Sequence, residues 1–239
     1  MVKYVRDSTG RFQQRPHYEP KDLDVECEGI IKSFLKDLYG EIKFPVQTED
    51  IKKLIERDAD DLDLYADLTI YGPEVEGVTE FRPGKRPRVS VSASLTEDAR
   101  RENRLRTTLT HEYGHVRFHG YLWEIEPPTA DLLRQQPNRD KIICKRDTMI
   151  DAVQTDWMEW QAGYICGALL MPKIAVTRLC REHVEAHGIY GPVSLQSPAG
   201  SQLIQTIVTA FQVSQEAARV RLLKLGLVTA APETKALFG

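Results

Sequence analysis

The stretch 105-LRTTLTHEYGHVRFHG-120 carries two histidines four residues apart, His111 and His115, with Glu112 between them. It holds no proline and follows the helical apolar spacing, so we predict that it lies within one long helix. Residues four apart lie on one helical face, one turn above the other. Both imidazoles can therefore reach a single metal ion.

Glu112 shares a helical stripe with Leu109 and Val116, so it lies between the core and the metal face. A carboxylate there can accept a proton from water at the metal without binding the metal itself. His119 continues the histidine series, but the helical rise separates it from His111 by about 12 Å along the axis. We therefore expect His119 behind the site and not as a third ligand.

A third ligand is available in 157-WMEWQAGYICGALLMP-172, where Glu159 is the only charged residue in an apolar, small-residue segment. A buried carboxylate is costly unless it is paired or bound to a metal. Two histidines and a glutamate form one of the ligand sets of catalytic zinc sites. Glu159 could instead be an acid at a helix start, and Cys144 is an alternative ligand that would replace it.

Together the two stretches resemble the ImmA/IrrE family of zinc metallopeptidases, whose members show HExGHxxxH and then ExxAxxFAxxLLMP. The second pattern is matched in register by Glu159, Ala162, Leu169, Leu170, Met171 and Pro172. The chain departs from the family at Tyr113, where leucine is usual, and at residues 165–166, where the family has Phe-Ala. The resemblance runs from about Val89 to Pro172 and continues more weakly beyond.

The resemblance implies a zincin-like zinc metalloendopeptidase that holds one zinc ion per chain. Its ligands would be His111, His115 and Glu159, and Glu112 would be the general base. The implied substrates are helix-turn-helix transcriptional repressors, whose cleavage relieves repression in a stress response, a prophage or a mobile element. Candidate donors to the developing oxyanion are His119, Tyr164 and His187.

The remaining sequence predicts an α+β fold, mostly helical, with a small antiparallel or mixed sheet of about three strands and a C-terminal helical extension. The strands are expected at 62–71, 78–81 and 88–93, and the last of them resembles the edge strand that binds an extended substrate. The long helix is expected to begin after Thr96 as N-cap. Other helices are expected at 21–39, 49–57, 157–170, 172–187, 202–211 and 215–225.

The chain is expected to divide into three regions. Residues 1–20 are expected to be a flexible arm, 21–190 the metallopeptidase domain with an insertion at about 122–156, and 191–239 a C-terminal helical segment. Within the last region, 210-AFQVSQEAARVRLLKLGLV-228 is similar to a helix-turn-helix, although plain packing is the favoured interpretation. The competing hypothesis is a DNA-binding or regulatory protein with a structural metal site and no peptidase activity.

Composition favours a soluble cytoplasmic protein over the other classes. The chain has 239 residues and a formal net charge of −3, which gives no electrostatic case for DNA or membrane binding. Its four cysteines form no CxxC pair, so we expect reduced thiols. The polar N-terminus does not resemble a signal peptide, and no apolar stretch is long enough to span a bilayer.

Overall fold

The computed structural model describes residues 2–125, 141–145 and 156–230. The helices are α1 (Pro20–Tyr39), α2 (Thr48–Asp58), α3 (Ala93–Thr96), α4 (Glu102–His119), α5 (Leu122–Ile125), α6 (Trp157–Leu170), α7 (Lys173–Ala186), α8 (Pro198–Phe211) and α9 (Gln215–Lys224). The strands are β1 (Lys3–Arg6), β2 (Gln14–His17), β3 (Asp61–Ala66), β4 (Val75–Arg82), β5 (Lys85–Ser92), β6 (Lys141–Lys145), β7 (Val193–Ser194) and β8 (Val228–Thr229). These elements confirm the α+β class.

The main sheet is mixed and has the strand order β3-β5-β4-β6. Strand β5 runs parallel to β3 and antiparallel to β4, which pairs antiparallel with β6 on its other side. The prediction that residues 88–93 form the edge strand is therefore wrong. The alternation of a single strand reports which faces are buried, but pairing partners decide whether that strand is central. Strand β6 lies within the region that we expected to be an insertion.

The helix that carries the histidines begins later than predicted. It starts at Glu102, after the short helix α3 and a 3₁₀ turn at Ala99–Arg101. The Asp98 side chain accepts a hydrogen bond from the Arg100 N–H and caps that turn. Asp98 therefore caps the 3₁₀ turn and not the long helix α4. The prediction that Thr96 is the N-cap of the long helix is wrong.

The first residues form a hairpin, which the sequence did not predict. Strands β1 and β2 pair antiparallel, and the loop between them is organised by Asp7. The Asp7 carboxylate accepts hydrogen bonds from the backbone N–H of Thr9 and Phe12 and from Trp157 Nε1 at 3.1 Å. Phe12 packs edge-on against Trp123. These contacts dock the hairpin against the start of α6.

The C-terminal helices share one hydrophobic core with α1, α4 and α6. Arg221 of α9 is buried and donates to Asp24 Oδ1 at 2.7 Å and to the Met171 carbonyl at 3.1 Å. A buried guanidinium requires such partners because its charge cannot reach water. These contacts pack α9 against α1 and α6.

Among the described residues, no helix alone combines the length and apolar character needed to cross a membrane. Helices α6 and α7 meet that test of length and composition only as a pair, and they are bent by 59° relative to each other.

Gly114 lies at a close contact between α4 and α6. A Cβ built on Gly114 would lie 3.2 Å from Ala162 Cα and 3.3 Å from Ile165 Cγ2. Glycine in a helix interior costs stability relative to alanine, so its use here permits tight packing. This contact confirms the close backbone approach that the glycine indicated, and it sets the spacing between the His111 face and the start of α6.

We expect Gly114→Ala to destabilise the fold by about 1–3 kcal/mol, because the added methyl group overpacks the contact with α6. The matched change Gly29→Ala, at an exposed position of α1 with no atom near the new Cβ, should stabilise it by about 0.5–1 kcal/mol. Urea unfolding of both variants measures the difference. Equal stabilisation of the two would show that the helices do not meet at Gly114.

Candidate metal centre

Three side chains from two helices converge on one point. His111 Nε2 and His115 Nε2, one turn apart on α4, lie 3.1 Å from each other. The carboxylate of Glu159, in the first turn of α6, places Oε2 3.3 Å from His111 Nε2 and Oε1 3.2 Å from His115 Nε2. The Asp156 side chain accepts from the Glu159 N–H and so fixes the helix start that presents this carboxylate.

These spacings match a tetrahedral metal site. Zinc binds histidine nitrogen and carboxylate oxygen at about 2.0–2.2 Å, which puts neighbouring ligand atoms about 3.3 Å apart. The two histidine nitrogens are 3.1 Å apart, close to one edge of such a tetrahedron, and each Glu159 oxygen lies 3.2 to 3.3 Å from one of them. The residues thus fit a zinc ion in both chemistry and geometry.

Without a cation, burial of the His111, His115 and Glu159 side chains costs free energy. Both histidines are fully buried, and both Glu159 oxygens are shielded from solvent without a hydrogen bond of acceptable geometry. Burial alone would raise the pKa of the Glu159 carboxyl, but the adjacent imidazoles of His111 and His115 outweigh it and hold that pKa well below its usual range. The glutamate is therefore ionised and available as a ligand.

A chain of hydrogen bonds behind His115 sets the tautomer of its ring. Gln161 Nε2 donates to the Pro16 carbonyl, so its Oε1 faces His119 Nε2 at 3.0 Å. Burial lowers the pKa of His119 well below its usual value, so the ring is neutral and donates through Nε2 to Gln161. His119 Nδ1 then accepts from His115 Nδ1 at 3.1 Å. This leaves the His115 Nε2 lone pair directed at the cluster.

Gln161→Leu should weaken metal binding about 10–100-fold, because the leucine removes the acceptor that fixes His119 and, through it, the His115 tautomer. Titration against a fluorescent zinc chelator of known affinity measures the change. Gln205→Leu, on the exposed face of α8, is the matched control and should bind as the wild type does. An unchanged affinity in Gln161→Leu would mean that the relay does not orient His115.

Glu112 lies beside the ligands, between α4 and β4. It is fully buried, and its Oε2 accepts a hydrogen bond from Thr79 Oγ1 at 2.5 Å, while Oε1 has no hydrogen-bond partner among the residues that the structure describes. A Cβ on Gly77 would overlap Oε1, so only glycine at position 77 leaves room for the carboxylate. Burial raises the pKa of Glu112. The roles of Gly77, Thr79 and Gln161 were not predicted, because these residues touch the motif only in three dimensions.

Cys144, on β6, joins the same cluster. Its Sγ and donor atoms of His111 and Glu159 all lie within 4.8 Å of one another, and all three residues are buried. Burial raises the pKa of the Cys144 thiol well above its usual value. The sequence offered Cys144 and Glu159 as alternative ligands, whereas the structure brings both to one place. The buried group of His111, Cys144 and Glu159 can hold a metal ion.

Two of the suggested oxyanion donors are engaged elsewhere. The Tyr164 hydroxyl donates to Asp24 Oδ2 at 3.0 Å, on the side of α6 that faces α1. His187, at the end of α7, hydrogen-bonds through Nδ1 with the His183 carbonyl at 2.8 Å. His119, the third suggestion, lies behind His115 and supports its ring.

The sequence matches no protein-family model. A search of curated proteins finds no similar sequence.

Proposed function

We propose that this chain is a zinc-dependent endopeptidase. The observation that carries the proposal is the convergence of His111, His115 and Glu159, with donor atoms 3.1 to 3.3 Å apart and the Glu112 carboxylate beside them. A metal alone would not require that fourth side chain. The Glu112 carboxylate is buried and accepts a hydrogen bond from Thr79, and its other oxygen has no hydrogen-bond partner among the described residues. These properties suit a group that accepts and returns a proton.

His111, His115 and Glu159 would hold the ion, and when bound it would polarise the scissile carbonyl and make water acidic enough to attack at neutral pH. Glu112 Oε1 takes the proton from the attacking water as the new C–O bond forms. The same carboxyl then gives that proton to the leaving nitrogen as the C–N bond breaks. Thr79 keeps the Glu112 side chain in place through both transfers.

We further propose that the substrate is a helix-turn-helix transcriptional repressor and that cleavage takes place in the cytoplasm. The support is the resemblance of residues 89–172 to the ImmA/IrrE family. The match of HExGHxxxH and of the later ExxA and LLMP positions in one register supports the same family and activity. The mechanism derived from the site requires only a peptide bond.

A structural metal site is the second candidate, and Cys144 favours it. Four protein ligands close a zinc site, whereas catalytic sites keep one position open. Cys144 lies near enough to His111 and Glu159 to supply a fourth ligand. Under this hypothesis the chain would be a regulatory or DNA-binding protein, and Glu112 would have no chemical role.

Zinc removal tests the proposed activity even when the natural substrate is not known. We expect zinc-loaded protein to create new N-termini in a proteome-derived peptide library, chelated protein to create none, and restored zinc to recover them. The Glu112→Gln variant, purified identically, controls for contaminating proteases. The peptidase proposal would be contradicted if new N-termini appeared without zinc or with Glu112→Gln. It would also be contradicted if no form of the chain that retains Glu112 produced new N-termini.

A further inference from the structure

We propose that Cys144 is a fourth ligand of the same ion and that β6 occupies the place on β4 where an extended peptide would bind. The described conformation is then a resting form of the peptidase. This inference rests on the proposed function. It adds to that proposal by identifying the residues that block substrate access to the zinc site. Three independent features support it: the face on which Cys144 lies, the donors around it, and the edge that β6 covers.

The register of the sheet puts Cys144 on the face of the active site. Cys144 pairs with Gly77 in the antiparallel ladder between β6 and β4. Residues directly opposite in such a ladder project to the same face of the sheet. Gly77 lies against the Glu112 carboxylate, and Thr79, two residues on, bonds to it. The Cys144 side chain therefore points to the site and not to the opposite face.

Cys144 lies in one cluster with His111 and Glu159, and His115 Nε2 lies 3.1 Å from His111 Nε2, so these four side chains can supply a complete zinc coordination sphere. Two imidazole nitrogens, one carboxylate oxygen and one thiolate sulfur are all ligand types that zinc accepts, and four is its usual number in closed sites. Cys144 is fully buried, and within the described part of the chain Glu112 Oε1 and both Glu159 oxygens lack hydrogen-bond partners. A cation among these groups would satisfy the Glu159 carboxylate and bind the sulfur as thiolate, with release of the thiol proton.

Strand β6 covers the edge that a substrate would need. Strand β4 pairs with β5 on one side and with β6 on the other, and Cys144 of β6 lies in one cluster with His111 and Glu159. Residues Ile142 and Ile143 pair with Thr79 and Val78 in the antiparallel ladder. An extended peptide that adds to a sheet uses the same backbone groups. A peptide on this edge of β4 and strand β6 therefore exclude each other, and binding of the peptide there requires β6 to leave β4 and Cys144 to leave the ion.

X-ray absorption at the zinc edge tests the ligand directly on the intact, zinc-loaded chain. We expect one sulfur at about 2.3 Å together with nitrogen and oxygen ligands at about 2.0–2.2 Å. Cys144→Ser should lose the sulfur and keep the zinc, while Cys180→Ser, at another buried thiol, should keep both. A wild-type spectrum without sulfur overturns the inference, and this result does not depend on how any variant folds.

Cleavage of the peptide library tests the blockade. Minor conformers are commonly populated at 0.1–10%, so release of the block in Cys144→Ser should raise the cleavage rate at least about tenfold. Cys180→Ser should cleave as the wild type does. Cleavage by Cys144→Ser no faster than by the wild type overturns the blockade by β6.

The two proposals can fail separately. If the wild type shows no zinc–sulfur distance but cleaves in a Glu112-dependent manner, the peptidase assignment stands and the Cys144 assignment falls. If sulfur is bound and neither the wild type nor Cys144→Ser cleaves, the ligand assignment stands, the peptidase proposal falls, and the block has no substrate to exclude.

Discussion

Glu112→Gln is expected to lower the rate of peptide cleavage by about 10²–10⁴-fold while zinc binding stays at one ion per chain. Glutamine fills the same space between α4 and β4, and its amide oxygen can still accept from Thr79 Oγ1. It cannot take a proton from water or return one to the leaving nitrogen. The loss should therefore appear in kcat, with the free energy of unfolding close to that of the wild type, since a neutral amide is no costlier to bury than a carboxylate.

The measurement is kcat and KM on one peptide chosen from the library hits, with zinc content determined on the same samples. Glu182→Gln, an exposed position on α7, is the matched control and should leave both values unchanged. If Glu112→Gln retained wild-type kcat with zinc bound, Glu112 would not be the base. If it lost zinc instead, its role would be structural.

Glu159→Ala should weaken zinc binding by more than about 100-fold. Loss of a residue that only supports a ligand commonly costs about 10–100-fold, and Glu159 is assigned as a ligand. The alanine removes the carboxylate whose Oε2 lies 3.3 Å from His111 Nε2 and whose Oε1 lies 3.2 Å from His115 Nε2. Competition with a zinc chelator measures the affinity, and circular dichroism checks that α6 remains folded.

Glu182→Ala is the control for Glu159→Ala and should bind zinc with wild-type affinity. The outcome that contradicts the assignment is also specific. Glu159→Ala with full zinc affinity, together with loss of zinc in Cys144→Ser, would mean that Cys144 is the third ligand and Glu159 is only an acid at a helix start. The sequence left that alternative open, and the structure supports both residues as donors.

Local periodicity predicted the parts of the site that lie on single helices. The four-residue spacing placed His111 and His115 on one face, and the axial rise placed His119 behind them, because both depend only on helix geometry. Gly114 likewise indicated a close helix contact, which Ala162 provides. The isolated carboxylate in an apolar segment identified Glu159 because burial of an unpaired charge is costly.

The parts that sequence could not predict depend on long-range pairing. Nothing in KIICK specifies β4 as its partner, so Cys144 could be considered a ligand but could not be placed beside Glu159. The strand at 88–93 has the alternation of an edge strand yet lies between two others. The role of Gln161 depends on the docked hairpin, because the Pro16 carbonyl accepts from Gln161 Nε2 and so orients the amide toward His119.

Anomalous X-ray diffraction at the zinc edge, from crystals of the zinc-loaded chain, tests the central claim most directly. We expect one peak per chain, within about 2.0–2.2 Å of His111 Nε2, His115 Nε2 and a Glu159 carboxylate oxygen. A peak at another site, such as the His183 and His187 pair of α7, or no peak at the α4–α6 crossing, would contradict it.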